Sequence, residues 1–200
     1  MSKTQTKLPS GRRGEGGLTK DEVAAIQRSR ILFAMAESVA DQGYPGVSVA
    51  DVVGRAGVSR ATFYEMFDDK QDCFLAAFDT AIGLVFGGLE LPTGRDPASF
   101  DVLLASYLES IATHEAFSRV FLIDIYAVPE GTRRRAESQA NFAEFIATLF
   151  GVTDEHRRFA CEAIVAATAT LVTARLAAGD LDGIRALHAP LVRLAHDLLG

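Results

Sequence analysis

The 200-residue chain contains no tryptophan and only two cysteines, Cys73 and Cys161. Neither cysteine has a partner at metal-ligand spacing, so we expect both to be reduced residues of a hydrophobic core. No apolar run has the length that we expect of a membrane span, and the N-terminus lacks a signal-peptide pattern. These absences argue against a disulfide-stabilised secreted protein and against a membrane partner, and they predict a cytoplasmic protein.

Signatures of catalysis are also missing. The sequence has neither a Gly-x-Ser-x-Gly elbow nor a glycine-rich phosphate loop, and no nucleophile stands in a recognisable relation to a base. His156, His188 and His196 have no cysteine or carboxylate at a convincing spacing, so solvated or interface histidines explain them better than a metal site. We therefore expect no enzyme activity, no metal and no cofactor.

The net charge of −6 is unevenly distributed along the chain. Residues 1–70 hold ten Lys and Arg against nine Asp and Glu, whereas residues 71–200 hold ten against seventeen. Nucleic-acid affinity depends on local phosphate contacts, so a weakly basic N-terminal part is compatible with DNA binding. The balance argues against a protein that coats nucleic acid non-specifically.

Helical periodicity runs through most of the chain, and no segment shows the alternation of a strand. We predict an all-α fold of about nine helices, over 19–42, 48–56, 59–67, 69–88, 99–113, 115–128, 132–150, 154–178 and 181–199. The chain divides into a disordered basic arm (1–18), a first helical domain (19–70), a connecting helix (71–90) and a second helical domain (97–200). The arm is either a passive tail or a segment that touches DNA.

Two short helical patterns meet at a tight turn between Ser48 and Phe67. Ser48 and Ser59 are good N-caps, and Gly57 can end the first helix in a left-handed conformation. Phe63 and Phe67 are four residues apart and share an inner face. Such a pair of helices is either an ordinary helical corner or a helix-turn-helix, whose second helix enters the major groove of DNA.

A family resemblance favours the second interpretation. Roughly residues 25–78 resemble the DNA-binding domain of the tetracycline-repressor (TetR) family of transcriptional regulators. The matching positions are Gly43-Tyr44, Ser48 to Val53, Ala56 to Tyr64, Phe67 and Lys70. The resemblance implies that the first helix of the motif lies on phosphates and the second reads bases. It assigns DNA contact to Ser48, Ser59, Arg60, Thr62, Tyr64 and Lys70.

The sequence departs from the family pattern at two contact positions. Met66 stands where His or Tyr is usual, and Ala50 stands where a basic residue is frequent. Both changes remove polar contacts, although Met66 and Ala61 can still meet thymine methyl groups. An alternative hypothesis is therefore a helical ligand-binding or interaction protein with weakened DNA binding.

The resemblance also implies a small-molecule pocket in the second domain. Inner-face aromatic and apolar residues are its lining candidates, although plain core is an equally good interpretation of each. They are Phe86, Leu103, Tyr107, Phe121, Tyr126, Phe142 and Phe145. Few charged residues accompany them, so we expect a mostly apolar ligand, with polar contacts from His114, Asp124 or Asn141.

The last two predicted helices carry apolar stripes that suit a homodimer interface, as the family resemblance implies. Packing within one chain is the alternative. The interface candidates are Ile164, Val165, Thr168, Leu171, Val172, Leu187, Leu191, Leu194 and Leu198. The expected partners are thus a double-stranded, near-palindromic DNA operator, a second copy of the chain and a small-molecule inducer that releases a repressor.

Overall fold

The computed structural model describes residues 18–88 and 97–200, with side chains 84–88 left out. The predicted all-α class is confirmed: these residues form α-helices and short 3₁₀ turns, without a strand. The helices are α1 (Lys20–Gln42), α2 (Val49–Ala56), α3 (Arg60–Tyr64), α4 (Lys70–Gly88), α5 (Ala98–Thr113), α6 (Glu115–Leu122), α7 (Gly131–Phe150), α8 (Glu155–Ala178), α9 (Leu181–Ala186) and α10 (His188–Leu199). The predicted arm lies almost wholly outside the described residues.

Local capping explains where the first helices begin. The Thr19 hydroxyl accepts from the backbone N–H of Glu22, and the Glu22 carboxylate accepts from the backbone N–H of Thr19. Ser48 and Asp51 form the same reciprocal pair at the start of α2. Such boxes satisfy N–H groups that a helix leaves free at its N-terminus. These are the boundaries that the sequence predicts best.

Three predicted helices differ from the structure, and one of them, predicted over 59–67, is shorter and spans Arg60–Tyr64. The segment predicted as one helix over 181–199 forms α9 and α10, which meet at Leu187 and His188. Pro190 accounts for the break. In a continuous helix its ring would clash with the carbonyl of the residue four positions earlier, and its nitrogen has no proton to donate to that carbonyl. The segment predicted as a helix over 115–128 ends at Leu122 and continues as a 3₁₀ turn, Asp124–Ala127.

The N-terminal hydrophobic cluster joins both halves of the chain. Its members from α1 to α4 include Met35, Val52, Phe63 and Phe74, all of them buried. Val120, Ile125 and Val128, from the segment that begins with α6, are buried in the same cluster. The first four helices therefore share one core with part of the C-terminal half.

The C-terminal cluster is formed by α5 and by α7 to α10, with Leu122 from the end of α6. Buried apolar residues from each of these helices contribute to it, among them Leu108, Ile146, Ile164, Val172, Leu176, Ile184 and Leu191. α8 packs against both α7 and α10, which makes it the central helix of this cluster.

Helix α8 corrects one expectation from the sequence. Within the described residues it is long and apolar enough to cross a membrane, with a mean hydropathy of 1.5 over its best 18-residue window. Length and composition alone support that assignment, and core helices of soluble proteins pass the same test. Only 33% of the window is buried in the chain, so much of this apolar surface is uncovered in the single copy.

Replacement of Phe63 by alanine tests the N-terminal cluster. Phe63 is fully buried, so Phe63→Ala is expected to cost about 3–5 kcal/mol in the free energy of unfolding. Tyr64→Ala is the matched control, because that ring is 55% exposed and its loss is expected to cost less than about 1 kcal/mol. Urea unfolding followed by circular dichroism measures both; equal losses would contradict the assignment of Phe63 to the core.

Candidate nucleic-acid interface

The turn between α2 and α3 has the geometry of a helix-turn-helix. Gly57 ends α2 at φ 65° and ψ 39°, the left-handed conformation that glycine adopts most readily. Its N–H donates to the carbonyl of Val53, and the N–H of Val58 donates to the same carbonyl at 3.2 Å. Ser59 then caps α3 through the N–H of Thr62 at 3.0 Å. The chain thus reverses within three residues and presents the start of α3.

α3 and its N-cap Ser59 carry four of the six predicted DNA contacts. Arg60 and Tyr64 are exposed, and the Ser59 hydroxyl lies 2.9 Å from that of Thr62. Phe63 points the other way, into the core, and holds the Tyr64 ring edge-on at 5.3 Å. An arginine fork, a phenol and hydroxyl groups on one exposed helix end can all bond base edges or phosphates.

Ser48 has a second task in the structure. Its hydroxyl donates to the Asp51 carboxylate at 2.6 Å and also accepts from the Asp51 N–H. The first of these bonds is the leading reason that the pKa of Asp51 lies below its usual value. Ser48 is exposed, so a phosphate can approach it, but its hydroxyl proton is already engaged.

Lys70 differs more strongly from the expectation that it faces phosphate. Its ammonium group donates to the carbonyl oxygens of Tyr44, at 3.0 Å, and Val47, at 2.9 Å. It also lies 4.2 Å from the centre of the Tyr44 ring. An ammonium has three N–H donors, so one remains for a phosphate. The first role of Lys70 is to fix the turn between α1 and α2.

Other basic residues around the motif are also held by the protein. The Arg28 guanidinium lies 4.8 Å from the Phe67 ring centre, and Arg55 forms ion pairs with Glu37 and Asp41. Arg30 is exposed and borders Gly57, where an added Cβ would lie 2.8 Å from its Nη2. Arg30 therefore adds positive charge directly beside the turn.

The two departures from the family pattern have different settings. Met66 is half-buried and packs against the N-terminal cluster, so its side chain serves the core at least as much as the surface. Ala50 is exposed in the first turn of α2. Of the two departures, only Ala50 therefore replaces a DNA-contacting side chain at an exposed position.

The predicted pocket residues do not lie together in one place. Leu103 and Tyr107 pack against the C-terminal cluster, and Tyr107 lies 6.4 Å from Phe142 between ring centres. Phe142 and Phe145 are half-buried on α7. Phe121 packs instead against the N-terminal cluster, 6.3 Å from Phe78. Phe86 lies outside the residues whose side chains the structure describes.

Tyr126 needs correction as a pocket residue. It stands on the 3₁₀ turn after α6 and is 52% exposed, so its ring does not line an enclosed space. His114 and Asn141, two of the predicted polar contacts, are exposed as well. Only Asp124 is half-buried; desolvation raises the pKa of its carboxyl, which accepts from the Tyr44 N–H.

Sequence reasoning missed two buried polar residues of α7, Arg135 and Ser138. In the sequence Arg135 follows Arg133 and Arg134 near the start of a helix, where three basic residues suggest a solvated surface, yet it is 5% exposed and Ser138 is 4% exposed. A signal was present: Arg135, Ser138 and Phe142 follow helical spacing, so they share the face that carries the predicted lining residue.

The dimer-interface candidates fall into two groups. Four of them are buried within the chain and are corrected to core residues, because α8, α9 and α10 pack on one another: Ile164, Val172, Leu187 and Leu191. The other five keep accessible surface: Val165, Thr168, Leu171, Leu194 and Leu198. Phe159, which the sequence analysis did not select, is 66% exposed on α8.

The fold and the turn together define a helix-turn-helix domain on a larger helical body, and comparisons with known proteins agree. Residues 31–77 match the family model of bacterial regulatory proteins, tetR family. The HTH-type transcriptional activator FasR of Mycolicibacterium smegmatis is 30% identical over 84 residues, 42% of this chain. That match spans about a third, 36%, of the relative's length.

Solved structures show the same fold over most of the chain. FadR of Bacillus halodurans, a fatty acid degradation regulator, has a TM-score of 0.70 at 18% identity and covers 84% of this chain and 96% of its own. FadR of Bacillus subtilis, solved with stearoyl-CoA, has a TM-score of 0.69 at 15% identity, with the same coverage. A TetR-family regulator of Pectobacterium atrosepticum reaches 0.67 at 23% identity, covering 91% and 98%.

Residues 31–77, which include the helix-turn-helix, are thus similar to the tetR family of bacterial regulatory proteins. The family match includes α2, α3 and the turn between them, which are the elements that the site geometry singles out.

Arg60→Ala tests the candidate interface. Loss of a charged fork at the exposed start of α3 is expected to weaken specific DNA binding by about 1–3 kcal/mol, with unchanged thermal stability. Arg133→Ala, an equal change of charge at an exposed site on α7, is the control and should bind DNA like the parent. Fluorescence anisotropy with DNA from the protein's own promoter region measures both. Parental affinity in Arg60→Ala would remove Arg60 from the interface.

Proposed function

We propose that the protein is a homodimeric, ligand-responsive transcriptional regulator that acts as a repressor in the cytoplasm. The observation that supports this proposal is the exposure of Arg60 and Tyr64 on α3, within the segment that matches the tetR family model. Ser59, Arg60, Thr62, Tyr64 and Ser48 form the proposed DNA-contacting set. Lys70 supports this set chiefly by holding the turn before α2, through its bonds to Tyr44 and Val47.

The proposed DNA site follows from the dimer. Two recognition helices related by a twofold axis enter successive major grooves when they lie about 34–36 Å apart, so the operator is a near-palindrome. Phosphate neutralisation by exposed arginines makes the binding salt-dependent. α3 spans only Arg60–Tyr64, so each copy reads few bases.

An electrophoretic shift with the protein's own promoter DNA, over a series of salt concentrations, tests DNA binding. Specific retardation that weakens steeply with salt is the expected result. The absence of any retardation, or equal retardation of unrelated DNA, would favour the second candidate, an interaction protein with weakened DNA binding. The exposed Ala50, in place of a basic side chain, is the observation that favours that candidate.

The sign of regulation needs its own experiment. A repressor is proposed because an exposed recognition helix that occupies a promoter excludes polymerase without further contacts. The relative in Mycolicibacterium smegmatis is an activator by name, so activation is the alternative. A reporter fused to the bound promoter should rise when the gene is deleted; a fall would identify an activator.

The C-terminal helices are the proposed ligand-binding part. Leu103, Tyr107 and Phe142 supply apolar and aromatic surface there, and the Bacillus subtilis neighbour was solved with stearoyl-CoA. We therefore propose a small, mostly apolar ligand for this chain. α4 contributes Phe74 and Phe78 to the core of the helix-turn-helix and also packs against α7, so a shift of α7 can reach the recognition helices through it.

Homodimer formation is proposed through the uncovered faces of α8 and α10. Phe159 and Leu171 on α8, with Leu194 and Leu198 on α10, are exposed large apolar side chains. α8 and α10 pack on each other, so two copies can bury both helices as a four-helix interface.

Leu194→Glu is expected to raise the dimer dissociation constant about 100-fold, because a carboxylate would be desolvated at the interface. Val102→Glu is the matched control, since Val102 is 67% exposed and lies on α5, a helix that carries none of the proposed interface residues. Analytical ultracentrifugation measures both variants. A Leu194→Glu protein that dimerises like the control would show that another face pairs the two copies.

A further inference from the structure

Helix α7 begins with three consecutive arginines that have different surroundings. Arg133 pairs with Glu137, and Arg134 donates to the Asp79 carboxylate at 2.8 Å; both are at least partly exposed. Arg135 is buried, at 5% exposure. Among the described residues, no carboxylate forms an ion pair with it. The third arginine is thus an interior cation without a protein counter-charge in this part of the chain.

The hydrogen bonds of Arg135 are also incomplete. Its side chain interacts with the Tyr107 hydroxyl, whereas its Nε has no hydrogen-bond partner among the described residues. The Ser138 hydroxyl, one turn further along α7, is buried and likewise has no partner in that part of the chain. A guanidinium offers five N–H donors and keeps its charge in proteins. Such a group is costly to bury unless acceptors and negative charge surround it.

The polar cluster of Arg135, Ser138 and Tyr107 lies at the edge of an apolar region. Tyr107 reaches Phe142 on the face of α7 that also carries Arg135 and Ser138. Leu103, one turn before Tyr107 on α5, packs against the C-terminal cluster. Burial raises the pKa of Tyr107, so its phenol is neutral and can donate a hydrogen bond. Donors therefore converge beside an aromatic and aliphatic wall.

We propose that Arg135, with Tyr107 and Ser138, binds the carboxylate of an amphipathic organic acid whose apolar body lies along α5 and α7. A carboxylate has two oxygens at the spacing of a guanidinium fork, carries the missing negative charge and accepts from several donors at once. The apolar body matches the Leu103, Tyr107 and Phe142 surface. This inference rests on the proposed ligand-binding role of the C-terminal helices and specifies the polar end of that ligand.

The first experiment compares acids with their esters. Octanoate, dodecanoate and hexadecanoate, and the methyl ester of each, are titrated into the full-length protein by isothermal calorimetry. At least one acid should bind about 10- to 100-fold more tightly than its ester, because the ester cannot form the charged bonds. Equal affinities, or no binding of any acid, would overturn the proposal.

The second experiment assigns the preference to Arg135. Arg135→Gln should abolish the preference for acid over ester, while Arg133→Gln, the same change two residues earlier at an exposed position, should keep it. Arg135→Lys retains the charge but not the guanidinium fork, so its preference for acid over ester should lie between those of Arg135→Gln and Arg133→Gln. A preference that survives in Arg135→Gln would overturn the proposal.

A third measurement needs no ligand. If Arg135 is an uncompensated interior cation, Arg135→Met should leave the melting temperature of the ligand-free protein unchanged or raise it. A clear fall would show that the protein itself compensates the charge, and would contradict the proposal. Promoter binding by the parent and by each variant is measured in parallel. If the parent does not bind promoter DNA, the proposed function is refuted. If the parent binds DNA but Arg135→Gln still prefers the acid to the ester, only this inference is refuted.

Discussion

The hydrophobic cluster shared by the helix-turn-helix and the segment after α6 constrains the rest of the structure. Val120 and Ile125 are fully buried in the core that also holds Phe63 and Phe74. Close-packed interiors transmit displacement, because a side chain there has no free space to move into. The recognition helix consequently cannot change its position without a response from α6 and the 3₁₀ turn.

Polar contacts reinforce this connection around the edge of the shared core. The Asp124 carboxyl accepts from the Tyr44 N–H, Gln71 bonds Glu130, and Arg134 pairs with Asp79. Arg134 precedes Arg135 in the chain, so of two consecutive residues of α7 one contacts α4 and the other points into the interior. A carboxylate bound at Arg135 would act on the turn of α7 that is tied to α4. Any coupling that results is reciprocal, so DNA would weaken the binding of that carboxylate by the same factor.

The sequence predicts the features that depend on neighbouring residues. Ser48 with Asp51, Gly57 and Ser59 encode the helix-turn-helix through bonds that span three or four positions. Features that depend on distant residues were predicted less well. Nothing beside Lys70 in the sequence indicates that it bonds the carbonyls of Tyr44 and Val47, and nothing beside Arg135 indicates that α5 covers it. Apolar spacing identified the stripes of α8 and α10 but could not divide core from surface.

Helix α8 shows why that division matters. Its composition alone permits a membrane span, but Ile164, Val172 and Leu176 are buried against neighbouring helices, which ties one face of α8 into the protein core. Phe159 and Leu171 of the same helix stay exposed, so a single copy leaves large apolar side chains of α8 in water. A lipid bilayer would require every side of the helix to be freed from α7 and α10, whereas a twofold partner covers the open side and leaves the core intact. Packing therefore agrees with the proposed homodimer, in which a second copy of the chain covers α8.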